Sequence, residues 1–162
     1  MSTRLGRIVR AADFERLLKS PSRARSPLFA LHHLASEPAA RRVAGELSTG
    51  GAQDAHRLVD EGPATTPHSA RGHWLGFVVP KRLARRAVTR NLIRRLARAS
   101  LAAQLGGAQP LPQGMWVLRL RAPIDRTQFK SAASALLRQQ LHEDLATLWR
   151  RALNPRPPRP AA

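Results

Sequence analysis

Arginines are the residues with the most chemistry to offer. From Pro80 to Arg98 the chain reads Pro-Lys-Arg-Leu-Ala-Arg-Arg-Ala-Val-Thr-Arg-Asn-Leu-Ile-Arg-Arg-Leu-Ala-Arg, with no acid among them. At helical pitch, Val88, Leu92, Ile93 and Leu96 share one arc, and Arg90, Asn91, Arg94, Arg95 and Arg98 share the opposite one. Arg90, Arg94 and Arg98 stand at i, i+4 and i+8, stacked about 6 Å apart per step. Like charges at that spacing cost an isolated helix roughly 0.2–0.5 kcal/mol per pair. A cluster of arginines is most often a solvated face, but such a face normally intersperses glutamate. A wholly acid-free one makes sense if it binds phosphates.

Residues for bond-breaking chemistry are scarce. The chain has no cysteine, which removes thiolate zinc sites, disulfides and Cys nucleophiles. A metal-dependent nuclease needs clustered carboxylates to hold Mg²⁺. Five of the ten acids (Glu37, Glu46, Asp54, Asp60, Glu61) lie in one segment of low apolar content. The others are Asp13, Glu15, Asp125, Glu143 and Asp144, and nothing in their spacing pairs them. His32 and His33 are adjacent on an expected strand, so they point to opposite faces and cannot act together. Gly106-Gly107 reads as a helix stop, not a phosphate loop. No active site of the protein's own is expected.

The elements that must position the arginines are legible in outline. Ala12–Lys19 spaces Phe14, Leu17 and Leu18 on a helical face and stops before Pro21. Leu28–Leu34 alternates as a strand, with Leu28, Ala30, His32 and Leu34 on one side and Phe29, Leu31 and His33 on the other. Trp74–Val79 is a short apolar strand ending at Pro80. Ala84–Gln104 is the basic helix. Met115–Arg121 is a strand with Trp116, Leu118 and Leu120 on one face and Met115, Val117, Arg119 and Arg121 on the other. A long final helix is expected from Arg126 to Leu153, with Phe129, Ala133, Leu136, Leu137, Leu145, Leu148 and Trp149 at helical spacing. The order α, two or three strands, α, β, α predicts an α+β fold.

Length and charge bound the rest. The chain has 162 residues, and 28 Lys and Arg against 10 acids give a net charge of +18. From Gly62 to Ile124 there are eleven Lys or Arg and no acid. Such an excess repels itself unless a polyanion is the partner, which puts nucleic acid first and an anionic membrane surface second. The short aliphatic arc of the basic helix, without Trp or Phe, argues against the membrane. No stretch approaches the ~20 apolar residues of a membrane span, and the N-terminus leads into no signal core, so a cytoplasmic location is expected. Ser36–Ala70 has Val43, Leu47, Leu58 and Val59 as its only large apolar residues, and it reads as a disordered insertion. Residues 154–162 form a Pro-rich tail. What is left of residues 1–153 makes one compact domain.

The central pattern resembles a known family. Ala87-Val88-x-Arg90-Asn91-x-x-Arg94-Arg95-x-x-Arg98, preceded by Gly76-x-x-Val79-x-Lys81-Arg82, is similar to the signature of the bacterial ribonuclease P protein subunit. Asp13-Phe14 with Leu17-Leu18, Phe29-Ala30-Leu31-His32, and Leu145-x-x-Leu148-Trp149-Arg150-Arg151 match in order and spacing. Two positions depart: Leu92 stands where the family usually has a basic residue, and Ala99 where it has an acidic or amide one.

The resemblance implies a ribosomal-S5-domain-2-like sandwich with a left-handed βαβ crossover around the basic helix. It implies a protein that assists a catalytic RNA in removing the 5′ leader from precursor tRNA, the RNA carrying out the chemistry and holding most of the Mg²⁺. Arg86, Arg90, Asn91, Arg94, Arg95 and Arg98 would contact the RNA subunit. Phe14, Leu18, His32, Lys81 and Arg82 would line or flank a cleft for the single-stranded leader. From the residues alone, a structural RNA-binding protein of ribosomal type stays open beside this one, as does a membrane-surface role.

Overall fold

A computed structural model describes residues 5–39 and 72–155. Two strands found by alternation lie side by side at the centre: β3 (Phe29–Leu34) and β5 (Gly114–Leu120) pair antiparallel, from Phe29 opposite Leu120 to Leu34 opposite Met115. On the other side of β5, β4 (His73–Val78) runs parallel, from His73 opposite Gly114 to Val78 opposite Arg119. Two short strands close the edges: β1 (Leu5–Arg7) is parallel to β4, and β2 (Ala24–Arg25) is antiparallel to β3. The mixed sheet therefore runs β1-β4-β5-β3-β2. With helices α1 (Ala11–Lys19), α2 (Ala87–Leu105) and α3 (Ala135–Leu153), the architecture is α+β, as the element order predicts.

Period-two alternation gives the sheet two apolar faces. Phe29, Leu31, Leu75, Trp116, Leu118 and Leu120 join Leu92, Ile93, Ala97 and Leu101 of α2 and Leu137, Leu141, Leu145, Leu148 and Trp149 of α3 in the main core. Met115 and Val117 face the other way and meet Ile8 and Leu17, with Phe14, Leu18 and Leu34 packed around them. Each large side chain so buried contributes roughly 1.5–3 kcal/mol. The Trp149 indole N–H donates to Ser100 Oγ at 2.8 Å, tying α3 to α2. Strand β5 can start only on glycine. Gly114 has φ +128°, and a Cβ there would lie 2.3 Å from the Leu34 carbonyl oxygen.

The structure corrects several expectations. The last helix begins at Ala135, not near Arg126. Ser134 caps it, its hydroxyl accepting from Leu137 N at 3.2 Å. Upstream, Asp125 holds Thr127 N and Oγ1 in a local turn, while the carbonyls of Lys130 and Ala132 accept from Arg86 and Thr89 side chains of the neighbouring helix. These partners draw the segment away from helix although Phe129 is buried. The basic helix starts at Ala87, not Ala84, and Val88 is 58% exposed while Thr89 takes the buried position. Leu136, expected on the apolar face, is also exposed. Strands β1 and β2 are too short for alternation to reveal them. The expected insertion lies mostly outside the described residues. Its first four residues are described, and two hold α1: Arg16 donates to Ser36 Oγ, and Ala39 N donates to Asp13 Oδ1. The tail beyond Pro155 lies outside them as well.

Asp144 is a buried acid with a structural task. Its Oδ2 accepts from Ser26 Oγ at 2.7 Å and from Leu28 N at 2.8 Å, locking the β2–β3 turn onto α3. Asp144→Ala leaves both donors without that partner and is expected to cost about 2 kcal/mol. Thermal unfolding checks this: a fall of several degrees is expected, and an unchanged melting temperature would remove the locking role.

Candidate nucleic-acid interface

Helix α2 sorts its arginines into two groups by turn. At its start, the side chains fold back on the backbone. Arg86 donates to Lys130 O at 2.6 Å, and Arg90 Nη1 donates to Ala84 O and Arg85 O at 2.9 and 2.7 Å. From the next turn onward they project outward: Asn91, Arg95 and Arg98 are exposed and Arg94 half-buried. Arg94 reaches Asn91 Oδ1 at 3.3 Å. The Arg98 guanidinium lies 5.6 Å from the Phe77 ring centroid, in cation–π range. Among the described residues, none of Arg94, Arg95 and Arg98 meets a carboxylate. Their charge is left unneutralised by the described residues.

A cleft of about 510 Å³ opens beside this face, and the sheet edge explains it. Strand β1 pairs with β4 only as far as Leu75, and the last rung is Ile8 N to Leu75 O at 3.3 Å. Beyond that point the edge of β4 has no strand neighbour among the described residues, and Gly76 and Phe77 line the opening together with Arg7, Ile8 and Val9. Phe14 of α1 forms one wall, and Asn91, Arg94 and Arg98 of α2 form the other. Gly76 is where Phe14 comes close: a Cβ there would sit 2.6 Å from Phe14 Cε1. On the outer side of α2, Arg95, Ala99 and Ala102 join the same Asn91, Arg94 and Arg98 around a shallower hollow of about 430 Å³. The departure at Ala99 thus falls where a small side chain leaves room between arginines.

The expected site residues are therefore only partly assembled. Phe14, Asn91, Arg94 and Arg98 share one cleft, and Arg95 borders the adjoining hollow. Leu18 packs in the smaller core beside Leu34. Lys81 and Arg82 are exposed in the turn after β4 and do not line the cleft. His32 is only 6% exposed, with its ring Nδ1 3.0 Å from Ser20 O. Burial, not an open groove, is its setting. Sequence reasoning missed Arg7, Val9 and Phe77. An aromatic in phase with Leu75 was a signal for Phe77, but nothing in the sequence shows where β1 ends.

The adjacent histidines carry a pH dependence. Desolvation by burial holds His32 below the usual histidine range, helped by the nearby Arg119 and Arg25 and opposed by the Ser20 carbonyl. His33, which stacks on Trp116 at 4.2 Å, is lowered chiefly by burial too. A depressed folded-state pKa means that the unfolded chain binds the proton more readily. Stability is then complete above about pH 6.5 and is lost as pH falls toward the folded-state values. Melting temperature is expected to drop between pH 7 and 5. The drop should shrink in a His32→Gln, His33→Gln chain; an equal drop in both would assign it to other groups.

The two buried acids are committed elsewhere. Asp13 is buried, 3.4 Å from Arg16, and Asp144 is tied to the β2–β3 turn. Among the described residues, no group of three or more histidines and acids could hold a metal ion, so these side chains do not fit an Mg²⁺ site. No helix among them is long and apolar enough to cross a membrane.

A mixed five-stranded sheet has one helix on one face and two on the other, with arginines and an aromatic lining one open cleft, and this defines a small α+β protein with a basic cleft at its sheet edge. A family model described as Ribonuclease P matches residues 3–152. The chain belongs to that family, the bacterial ribonuclease P protein component, which ties it to ribonuclease P activity and tRNA processing and makes RNA its general class of partner. A comparison with curated proteins gives no match.

Proposed function

We propose that the chain is the protein subunit of ribonuclease P, binding the catalytic RNA and the 5′ leader of precursor tRNA in a cytoplasmic ribonucleoprotein. The observation that carries this is the single cleft with Phe14 on one wall and Asn91, Arg94 and Arg98 on the other. A single-stranded leader offers two things to such a cleft. Its phosphates take the guanidinium forks in bidentate hydrogen bonds. Its unpaired bases take the flat ring of Phe14, and stacking tolerates any base, which suits leaders of varied sequence. Arg95 and the outer hollow face away from the cleft wall and supply phosphate contacts to the RNA subunit.

The protein's part is binding and positioning. Cleavage of the phosphodiester belongs to the RNA, and Mg²⁺ supplies charge neutralisation there, held mainly by RNA oxygens. The test is reconstitution with a bacterial ribonuclease P RNA and precursor tRNA at low Mg²⁺. Stimulated release of the 5′ leader is the expected result. Binding to structured RNA without stimulation would move the chain to the ribosomal type of RNA-binding protein.

A further inference from the structure

The opposite edge of the sheet carries a second basic groove that the cleft does not use. It has a volume of about 470 Å³ and is lined by Pro21, Ser22 and Arg23 before β2, by Arg25 of β2, and by Arg151 and Asn154 at the end of α3. The cleft opens on β4 and the groove on β2, so at least three inter-strand steps of about 4.8 Å, or about 14 Å, separate this groove from the Phe14 cleft. One phosphate cannot serve both.

The three arginines are held with donors to spare. Arg23 Nε donates to Ala152 O at 2.9 Å, leaving both of its Nη groups unspent, and its guanidinium lies over the Trp116 ring at 5.8 Å. Arg25 Nε donates to Ser22 Oγ at 2.6 Å, which likewise leaves its two Nη groups unspent. Arg151 spends Nη1 on the Arg25 carbonyl. Among the described residues none of the three meets a carboxylate, and no acid lines the groove. Three cations drawn together by backbone carbonyls and a hydroxyl repel one another. Anchoring at Nε also orients the Arg23 and Arg25 forks before any ligand arrives, which lowers the ordering cost of a bidentate phosphate contact.

We propose that this β2-edge groove is a second binding site for an RNA phosphodiester backbone, so that the protein grips RNA at both edges of its sheet. RNA is favoured over other polyanions because the family's partners are RNA and because the groove lies on the same +18 chain as the cleft. The two sites are far enough apart to contribute independently.

The experiment measures binding of the full chain to a bacterial ribonuclease P RNA across a salt series. Arg23 is left in place because it packs on Trp116. Arg25→Gln with Arg151→Gln is expected to reduce the slope of log K against log salt by about 1.4–1.8, at 0.7–0.9 per phosphate contact. Arg25→Lys with Arg151→Lys, which keeps the charge, should restore the slope. Adding Arg94→Gln and Arg98→Gln should lower it further by a similar amount, since the contacts are separate. Should the double variant melt early, Arg25→Gln alone, at an exposed position, is expected to lower the slope by about half as much. An unchanged slope in the folded variants overturns the site. So does an equal loss in Arg138→Gln, an exposed arginine outside the groove, because the effect would then be net charge alone.

Discussion

Arg94→Gln combined with Arg98→Gln is expected to weaken binding of the ribonuclease P RNA and precursor tRNA and to lower the salt slope by about 1.4–1.8. Both guanidinium groups line the cleft and the outer hollow, and neither is neutralised by a carboxylate among the described residues. Folding should be nearly unaffected. Loss of the Arg98–Phe77 contact costs roughly 0.5–1 kcal/mol, and relief of repulsion between residues one turn apart returns part of it. Arg90→Gln should behave differently, although the spacing makes Arg90 equivalent to Arg94. Its guanidinium is bound to the Ala84 and Arg85 carbonyls just before the helix. Its loss should therefore lower melting temperature more than the salt slope. Salt-series binding and thermal unfolding on the two chains separate these outcomes. Equal slopes for wild type and the Arg94/Arg98 variant would make this face a solvated one.

That divergence between Arg90 and Arg94 shows what the sequence could carry. Periodicity placed the arginines on one face of α2 and divided β3 and β5 correctly between two cores, because burial on both sides of a strand leaves a period-two record. It failed where side chains make contacts across the chain. Phe129 and Ala133 keep helical spacing, yet Arg86 and Thr89 take the carbonyls of Lys130 and Ala132, and the helix waits for Ser134. Val88 fell in the apolar arc but lies at the exposed start of the helix. The cleft itself depends on β1 stopping at Arg7 while β4 runs on to Val78. A three-residue strand has no period to read, so Arg7 and Val9 were invisible as site residues. His32 was placed on the correct strand face, but which faces are covered is decided by α1, whose Ser20 carbonyl the histidine meets.

Phe14 raises the same ambiguity between core and cleft in its sharpest form. It packs with the small cluster of Ile8, Leu17, Met115 and Val117, and it also lines the cleft. Two substitutions separate the roles. Phe14→Leu keeps an apolar side chain against that cluster but removes the flat face, so melting temperature should change little. Phe14→Ala removes both, so stability should fall as well. If the ring stacks on a leader base, either change costs roughly 1–3 kcal/mol of precursor binding. That lowers the ratio of precursor to mature tRNA affinity about 5- to 150-fold. Mature tRNA has no leader, so its affinity should hold. The ratio is measured in the complex reconstituted with the RNA subunit, with unfolding of the free chain as the control. A fallen ratio in Phe14→Leu with an intact melting temperature assigns the ring to the leader. An unchanged ratio in both variants, with a lower melting temperature in Phe14→Ala, would make Phe14 a core residue and leave leader binding to the arginine wall.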